Sequence, residues 1–219
     1  MERWATFDCY GTLVDWNSGL GRELERLFGV EPAPRLLERY HELEPQVQAD
    51  GYRSYREVMT LTVMRVAQEE SLAIPEGEAP RLGESLPDWP VFEEVPPALA
   101  RLRDGGWKLA ILSNSDRDLI AASERAIGVP FDLTVVAEDV GSYKPQHGHW
   151  ERFFEESGAD RSAHVHVGAS HFHDIAPATE LGLSSVWINR LGERAEPEPT
   201  RQLPDLARLP ETLDELVRA

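Results

Sequence analysis

The spacing of apolar residues divides the chain into segments of different character. Residues 4–9 form a short apolar run that ends at Tyr10 and Gly11, which predicts a buried strand that stops at a glycine turn. From about residue 17 to residue 85, apolar residues recur at spacings of three and four, and this period predicts amphipathic helices. The chain is therefore expected to begin with a strand and to continue into a helical segment.

Beyond the helical segment, strand-like and helical patterns alternate. The strand-like segments are residues 107–112, 133–137, 164–167 and 185–188. Such alternation predicts a parallel sheet that is covered by helices on both faces. The proline-rich stretch 197–204 is predicted to lie on the surface, ahead of a short helix that begins at about residue 210.

Together these patterns predict an α/β protein with two domains. Residues 1–14 and 95–219 are expected to form a Rossmann-like, doubly wound parallel sheet core. Residues 15–94 are expected to form a helical cap that is inserted after the first strand. A chain of 219 residues is long enough to bury one substantial core and to carry a smaller inserted unit.

Acidic residues strongly outnumber basic ones. The 39 Asp and Glu residues against 22 Lys and Arg residues give a formal net charge of -17. Such a surface repels phosphate backbones and anionic lipid, so we expect neither nucleic acid nor a membrane as a partner. A small anionic substrate is repelled as well, and its site must gather local positive charge or oriented backbone N–H groups.

Features of the whole chain predict its compartment. The first residues lack the basic and long apolar regions of a signal peptide. Cys9 is the only cysteine, which excludes an intrachain disulfide, and no apolar run reaches the length of a membrane span. These features predict a cytoplasmic protein.

The residues that suggest chemistry follow the predicted strands. They are Asp8, the pair Ser113 and Asn114, the loop 139–144 and the segment 169–174. In parallel sheets, ligands bind outside the carboxyl ends of the strands. We therefore expect these places to form one site.

Four short motifs at these places resemble, in order, those of the haloacid dehalogenase superfamily. The first is Asp-x-x-x-Thr-Leu after an apolar strand, and it begins at Asp8. The second is Leu-Ser-Asn at residues 112–114, the third is Tyr-Lys-Pro at residues 143–145, and the fourth is the acid that ends residues 170–174. With the intervening cap, the resemblance spans essentially the whole chain.

The resemblance implies covalent catalysis by Asp8. A carboxylate attacks carbon or phosphorus and forms an ester, which water then opens. Lys144 is expected to keep Asp8 ionised and oriented, because an ammonium lowers the pKa of a nearby carboxylate. Asp174 is expected to orient or activate the hydrolytic water.

Two positions distinguish between branches of the superfamily. Its phosphatases usually carry a second aspartate two residues after the nucleophile, as a general acid, and that residue is Tyr10 here. They also hold magnesium with two acids in the fourth motif, where this chain has only Asp174. A halide needs no proton to leave. The sequence thus resembles the 2-haloacid dehalogenase branch, which implies no cofactor.

That resemblance implies further contacts around the nucleophile. Thr12 is expected to hydrogen-bond near Asp8, and Ser113 is expected to bind the carboxylate of the substrate. Asn114 is expected to help receive the departing halide. Arg39, on a cap helix, is expected to supply positive charge for the substrate anion or the halide.

Tyr10, Trp150 and Ser170 complete the predicted substrate contacts. Trp150 stands where the family has a tyrosine, and Ala-Ser-His at residues 169–171 stands where it has Ser-Ser-Asn. His171 is predicted to be catalytic, because an imidazole there is able to position or deprotonate water near neutral pH.

Three pairs of histidines are each spaced by one residue, at 147 and 149, 164 and 166, and 171 and 173. On a strand this spacing places both rings on one face, which suits zinc chelation. We favour buried, hydrogen-bonded imidazoles for His164 and His166, because their strand is apolar and no cysteine cluster accompanies them.

The sequence leaves three functions open. The first is metal-independent hydrolysis of short 2-haloalkanoic acids to 2-hydroxy acids through an ester on Asp8. The second is a magnesium-dependent phosphatase that uses Asp8 and Asp174 on small phosphate monoesters. The third is a catalytically weak member that binds a metabolite or a protein partner. A homodimer is expected by resemblance alone.

Overall fold

The computed structural model describes residues 2–217 and consists of two compact units. The sheet unit comprises the chain up to Val14 and from Val91 onward, and the helical unit comprises Asp15–Pro90. The chain returns to the sheet unit between residues 90 and 91. The boundary predicted from the sequence lay four residues later, between residues 94 and 95. The helical unit is thus an insertion after the first strand.

The sheet unit contains six parallel strands in the order β3-β2-β1-β4-β5-β6. They are β1 (Arg3–Phe7), β2 (Trp107–Ser113), β3 (Leu133–Val136), β4 (His164–Gly168), β5 (Ser184–Ile188) and β6 (Arg201–Leu203). β1 lies in the interior of the sheet, where Thr6 is opposite Ala110 of β2 on one side and His166 of β4 on the other. The predicted α/β class with a doubly wound parallel sheet is confirmed.

The sixth strand corrects the sequence analysis. The stretch 197–204 was predicted only to lie on the surface, but Arg201–Leu203 pairs in parallel with β5. This strand has three residues, two of them exposed, and it pairs with β5 at the edge of the sheet. Such a strand buries too little apolar surface to leave a periodic pattern, so the prediction missed it.

The helical unit is built from four helices. They are α1 (Trp16–Phe28), α2 (Ala33–Ala49), α3 (Tyr55–Glu69) and α4 (Arg81–Ser85). Ser54 and Glu57 form a capping box at the start of α3, because each side chain bonds the backbone N–H of the other. The core of this unit includes Trp16, whose indole N–H donates to the hydroxyl of Tyr55 at 3.1 Å.

Helices of the sheet unit cover both faces of the sheet. They are α5 (Val95–Asp104), α6 (Arg117–Ile127), α7 (Ala137–Val140), α8 (Gly148–Ser157), α9 (Ala176–Glu180) and α10 (Leu209–Leu216). Because side chains alternate along a strand, Ala5 and Phe7 of β1 pack in the core that includes α5 and α10. Trp4 packs in the opposite core with Trp150 and Phe153 of α8.

Lys108 lies at the amino end of β2. Its ammonium pairs with the carboxylate of Glu2 at 2.8 Å and lies 5.2 Å from the ring centroid of Trp4. Its side chain is 39% exposed, so this ammonium remains in contact with solvent. Within residues 2–217, no helix combines the length and the apolar character needed to cross a membrane.

Candidate active site

Asp8 is the first residue after β1, and local hydrogen bonds fix its position. Its backbone N–H donates to the carbonyl oxygen of Val167 at 2.9 Å, so the chain is still held against β4 here. Gly11 then adopts a φ of +89°, a conformation that side-chain-bearing residues rarely adopt, and the chain turns back. The turn brings the hydroxyl of Thr12 to Asp8 Oδ2, to which it donates at 2.9 Å. The same hydroxyl accepts from the N–H of Ala169 at 2.8 Å.

Lys144 joins two carboxylates. Its ammonium donates to Asp8 Oδ1 at 3.0 Å and to Asp174 Oδ1 at 2.6 Å. The backbone of Lys144 is held by the side-chain amide of Asn114, which donates to its carbonyl oxygen at 2.8 Å and accepts from its N–H at 2.5 Å. The end of β1 and the turn after β4 therefore meet at the Lys144 ammonium, while the residue after β2 holds the backbone of Lys144.

Asp174 lies on a single π-helical turn, His171–Ile175, that follows β4. Ser170 caps this turn, because its hydroxyl accepts from the N–H of His173 at 3.1 Å. Gly168 gives Asp174 its space, since a Cβ at residue 168 would lie 2.5 Å from both the Cβ and the Cγ of Asp174. Asp174 Oδ1 also bonds His166 Nε2 at 3.3 Å, whereas Oδ2 is buried and accepts no hydrogen bond from residues 2–217.

Exposure distinguishes the two carboxylates. Asp8 is 9% exposed, whereas Asp174 is completely buried and Lys144 is 1% exposed. Of the three groups, Asp8 is the one that a substrate reaches most directly. The roles of Asp8 as the attacking group and of Asp174 in activating water stay predictions.

Burial and charge set the protonation of these groups. Burial raises the pKa of Asp8 to about 6, although Lys144 opposes this effect. Burial also favours protonation of Asp174, but the Lys144 ammonium and His166 outweigh it and hold the pKa of Asp174 below its ordinary value. Burial disfavours the charged form of Lys144, yet the two carboxylates outweigh it and raise the pKa of Lys144. At neutral pH the cluster thus holds two carboxylates and one ammonium.

Three predicted substrate contacts lie in the sheet unit close to these elements. The Tyr10 hydroxyl bonds the hydroxyl of Ser123 at 3.3 Å, and burial raises the pKa of Tyr10 well above its usual range. Ser113 ends β2, and its carbonyl oxygen accepts from His149 Nε2 at 3.0 Å. Trp150 is completely buried in α8, where its ring packs edge-on against the ring of His166 at 5.1 Å.

His171 and Arg39 have partners of their own. His171 Nε2 donates to the carbonyl oxygen of Pro197 at 2.8 Å, and its ring packs edge-on against Trp187. Arg39 lies on α2 of the helical unit, where its Nε donates to Glu69 at 2.7 Å and its guanidinium also bonds Glu42. The roles of His171 in catalysis and of Arg39 in anion binding stay predictions.

The sequence analysis missed two hydrogen-bonding groups around the site. Thr6 of β1 bonds both His164 and His166, which carries the buried network to Asp174, and the polar residues inside two apolar strands were the available signal. Arg190 holds the turn after Asp8 by donating to the carbonyl oxygens of Gly11 and Thr12 at 3.3 and 2.9 Å.

The residues present are a poor ligand set for the magnesium ion that the phosphatase alternative requires. Three of the four carboxylate oxygens of Asp8 and Asp174 accept hydrogen bonds from Lys144, Thr12 or His166. Magnesium prefers an octahedral shell of oxygen ligands. Within the described chain, no three His, Cys, Asp or Glu side chains are grouped so as to hold a metal ion.

Comparisons with known proteins agree with this geometry. A model of the haloacid dehalogenase-like hydrolase family matches residues 3–182. The (S)-2-haloacid dehalogenase of Pseudomonas sp. (strain YL) is 30% identical over 191 residues, which cover 85% of this chain and 82% of that protein.

Solved structures show the same fold. A crystal structure of an L-2-haloacid dehalogenase has a TM-score of 0.88 at 22% identity, covering 97% of this chain and 99% of that one. The L-2-haloacid dehalogenase of Xanthobacter autotrophicus with chloropropionic acid covalently bound has a TM-score of 0.85 at 18% identity, covering 97% and 98%. The chain therefore belongs to the haloacid dehalogenase-like hydrolases and is a hydrolase of the haloacid dehalogenase type.

Proposed function

We propose that this hydrolase cleaves the carbon–halogen bond of short 2-haloalkanoic acids through an ester on Asp8. The observation that carries the proposal is the position of Asp8. Its carboxylate follows the carboxyl end of an interior strand, keeps partial exposure, and is held by the Lys144 ammonium at 3.0 Å. This combination provides an oriented anionic nucleophile.

In the first step, a carboxylate oxygen of Asp8 attacks the carbon that bears the halogen. A carbon–oxygen bond forms while the carbon–halogen bond breaks, and the halide leaves with the bonding electron pair. Lys144 and Thr12 hold the two carboxylate oxygens, so the nucleophile is oriented before the substrate arrives. Displacement from the side opposite the halogen inverts the configuration at that carbon.

In the second step, water opens the ester at the carboxyl carbon of Asp8. The bond between this carbon and its ester oxygen breaks, one proton of the water passes to the departing alkoxide and the other is released, which regenerates the Asp8 carboxylate and frees the 2-hydroxy acid. Asp174 is the base we propose for this step, because its pKa lies below the ordinary value and it is ionised. Its Oδ2 is buried next to Gly168 and accepts no hydrogen bond from residues 2–217, so the lone pairs of this oxygen have no donor among these residues.

Tyr10 favours a halide over an alcohol as the leaving group. An alkoxide leaving from a phosphate monoester needs a proton, whereas a halide does not. The Tyr10 hydroxyl bonds Ser123, and burial raises its pKa well above the usual range, so it is a weak acid at neutral pH. The 30% identity to the (S)-2-haloacid dehalogenase of Pseudomonas sp. (strain YL) supports the same substrate class.

The substrate is itself an anion. We propose Ser113 and Asn114 at the end of β2, together with Ser170, as groups that receive its carboxylate or the departing halide. The formal net charge of -17 makes such local donors necessary, because the protein as a whole repels anions.

Halide release tests the proposal. The purified protein is incubated in EDTA with chloro-, bromo- and fluoroacetate and with both enantiomers of 2-chloropropionate, and Asp8→Asn is the matched control. We expect release from at least one substrate by the natural protein and none by the variant. The proposal is wrong if no substrate releases halide.

The route is tested by a single turnover in heavy-oxygen water with excess enzyme. Attack of water on the Asp8 ester places the label in the peptide that contains Asp8, which mass spectrometry detects. Label in the product alone would instead indicate direct attack of water on the substrate. A panel of phosphate monoesters with and without magnesium tests the phosphatase alternative, which predicts activity that EDTA abolishes.

A further inference from the structure

A buried hydrogen-bond chain leads from the sheet interior to Asp174. His164 and His166 lie on β4 and Thr6 lies beside them on β1, in register with His166. All three are completely buried. The Thr6 hydroxyl is 2.8 Å from His164 Nε2 and 2.8 Å from His166 Nδ1, and His166 Nε2 is 3.3 Å from Asp174 Oδ1.

The ionised state of Asp174 determines every proton in this chain. A carboxylate only accepts, so His166 Nε2 carries a proton and donates it to Asp174. The ring of His166 is neutral, because burial lowers its pKa, and its Nδ1 therefore accepts from the Thr6 hydroxyl. The Thr6 oxygen in turn accepts from His164 Nε2. Each donor thus points towards Asp174.

Aromatic rings around these residues exclude solvent from the hydrogen-bond chain, which ends inside the protein. The ring of Trp150 packs on His166, and the rings of Phe153 and Phe154 pack on His164. His164 Nδ1 is buried and has no hydrogen-bond partner within residues 2–217. A chain that ends at such an atom does not conduct protons to solvent, and His166 is its only member that bonds Asp174.

We propose that His166 is a positioning residue for the hydrolytic step: its neutral imidazole, locked in the Nε2–H form by Thr6, holds Asp174 through Oδ1 in the orientation that the step requires. The inference rests on the proposed function and assigns a role to a residue that touches neither substrate nor nucleophile. Oδ1 of Asp174 then has two donors, Lys144 and His166, while the buried Oδ2 has none within residues 2–217.

The two chemical steps provide the test, because His166 acts on only the second. In His166→Leu we expect ester formation on Asp8 close to the natural rate and ester hydrolysis slowed by about 10- to 100-fold, as for other residues that orient a reacting group from behind. The covalent intermediate should accumulate during turnover of 2-chloropropionate. Rapid quenching and mass spectrometry of the Asp8 peptide measure both rates.

Two variants separate positioning from packing. His166→Gln retains an N–H donor and should restore most of the hydrolysis rate, which a merely structural role would not predict. His164→Leu removes a buried imidazole from the same face of β4 without touching Asp174, and it should hydrolyse the ester nearly as the natural protein does. The inference is wrong if His166→Leu hydrolyses the ester at the natural rate, or if His166→Gln is as slow as His166→Leu.

A measurement without substrate separates this inference from the proposed function. Nitrogen NMR of protein labelled with ¹⁵N in histidine reports the tautomer of each ring, and we expect neutral His166 with its proton on Nε2 at pH 7. A proton on Nδ1, or a doubly protonated ring, overturns the inference whatever the activity. If the natural protein forms no ester with any haloacid, the proposed function fails, and the tautomer still tests the hydrogen bond from His166 to Asp174.

Discussion

At the scale of single residues, the site is two carboxylates that share one ammonium. Lys144 lies closer to Asp174 than to Asp8, at 2.6 Å against 3.0 Å, and His166 adds a second donor to Asp174 alone. Asp174 therefore holds its negative charge more firmly. Asp8 is the carboxylate that takes up a proton first, and the reaction needs it ionised.

This difference predicts an acid limit to activity. Burial raises the pKa of Asp8 to about 6, so kcat/KM for halide release should fall as the pH decreases through about 6 and should level off above it. Thr12→Val removes a hydrogen bond that stabilises the ionised form, so the limit should move to higher pH, whereas Thr12→Ser should leave it in place. Initial rates between pH 4.5 and pH 9 measure this limit. The assignment to Asp8 is contradicted if Thr12→Val leaves the limit unmoved.

Much of the site was predictable from residues alone, because each motif residue follows a predicted strand. The structure brings Asp8, Thr12, Asn114, Lys144 and Asp174 together as expected. The contact of Asn114 with halide stays a prediction, and the two hydrogen bonds of its amide with the backbone of Lys144 were not predicted. A sequence does not reveal such a partner, because it depends on where two distant loops meet.

At the scale of elements, the end of β4 and the π-helical turn after it position Asp174. This turn follows Gly168 closely, and the absence of a side chain at residue 168 lets the carboxyl group of Asp174 pack against the strand end. Thr12 ties the turn after β1 to Ala169 at the same edge. Small residues here control distances within the site.

Gly168→Ala tests this arrangement. The new Cβ would lie 2.5 to 2.6 Å from three side-chain atoms of Asp174, so that side chain must shift away from residue 168. We expect halide release to fall by about 100-fold, the order of effect of a displacement of about 1 Å in an active site. The same substitution at Gly21 on α1, where a Cβ would meet no atom within 4 Å, should keep activity and stabilise the fold by about 0.5–1 kcal/mol. Unchanged activity in Gly168→Ala, measured by halide release with thermal unfolding as the check on folding, would contradict the proposed role of this glycine.

The elements themselves differed in how well the sequence predicted them. Strands β1 to β5 are buried and apolar, so their patterns were clear, and β6 was missed because an exposed strand of three residues leaves no pattern. The hydrogen bonds of Thr6 were not predictable either. They depend on the register between β1 and β4, which places Thr6 opposite His166, and register is a tertiary property.

At the scale of the whole molecule, charge is the dominant feature. A formal net charge of -17 on 219 residues makes the folded state repel itself, and dissolved salt screens this repulsion. Ion pairs on the surface offset this destabilising repulsion only weakly, because exposed pairs contribute little to stability.

Thermal unfolding at different salt concentrations tests whether repulsion between acidic residues outweighs attraction within surface ion pairs. Raising sodium chloride from about 0.01 M to about 0.1 M shortens the Debye length from about 30 Å to about 10 Å, so the melting temperature should rise. A variant with Glu→Gln substitutions at the exposed residues 155 and 198 should show a smaller rise. A melting temperature that falls with salt would mean that attractive surface pairs dominate instead.

The rarity of lysine has a practical consequence. The sequence contains two lysines; Lys144 is sealed inside the protein, and Lys108 lies at the amino end of β2 with its ammonium open to solvent. Lys108 lies opposite Trp4 in the register of β1 and β2, which is four residues before Asp8 or about 13 Å along the strand, towards the amino ends of the strands. Reagents that acylate lysine side chains should therefore attach a dye or a solid support at Lys108, with the reactive edge left free for small molecules.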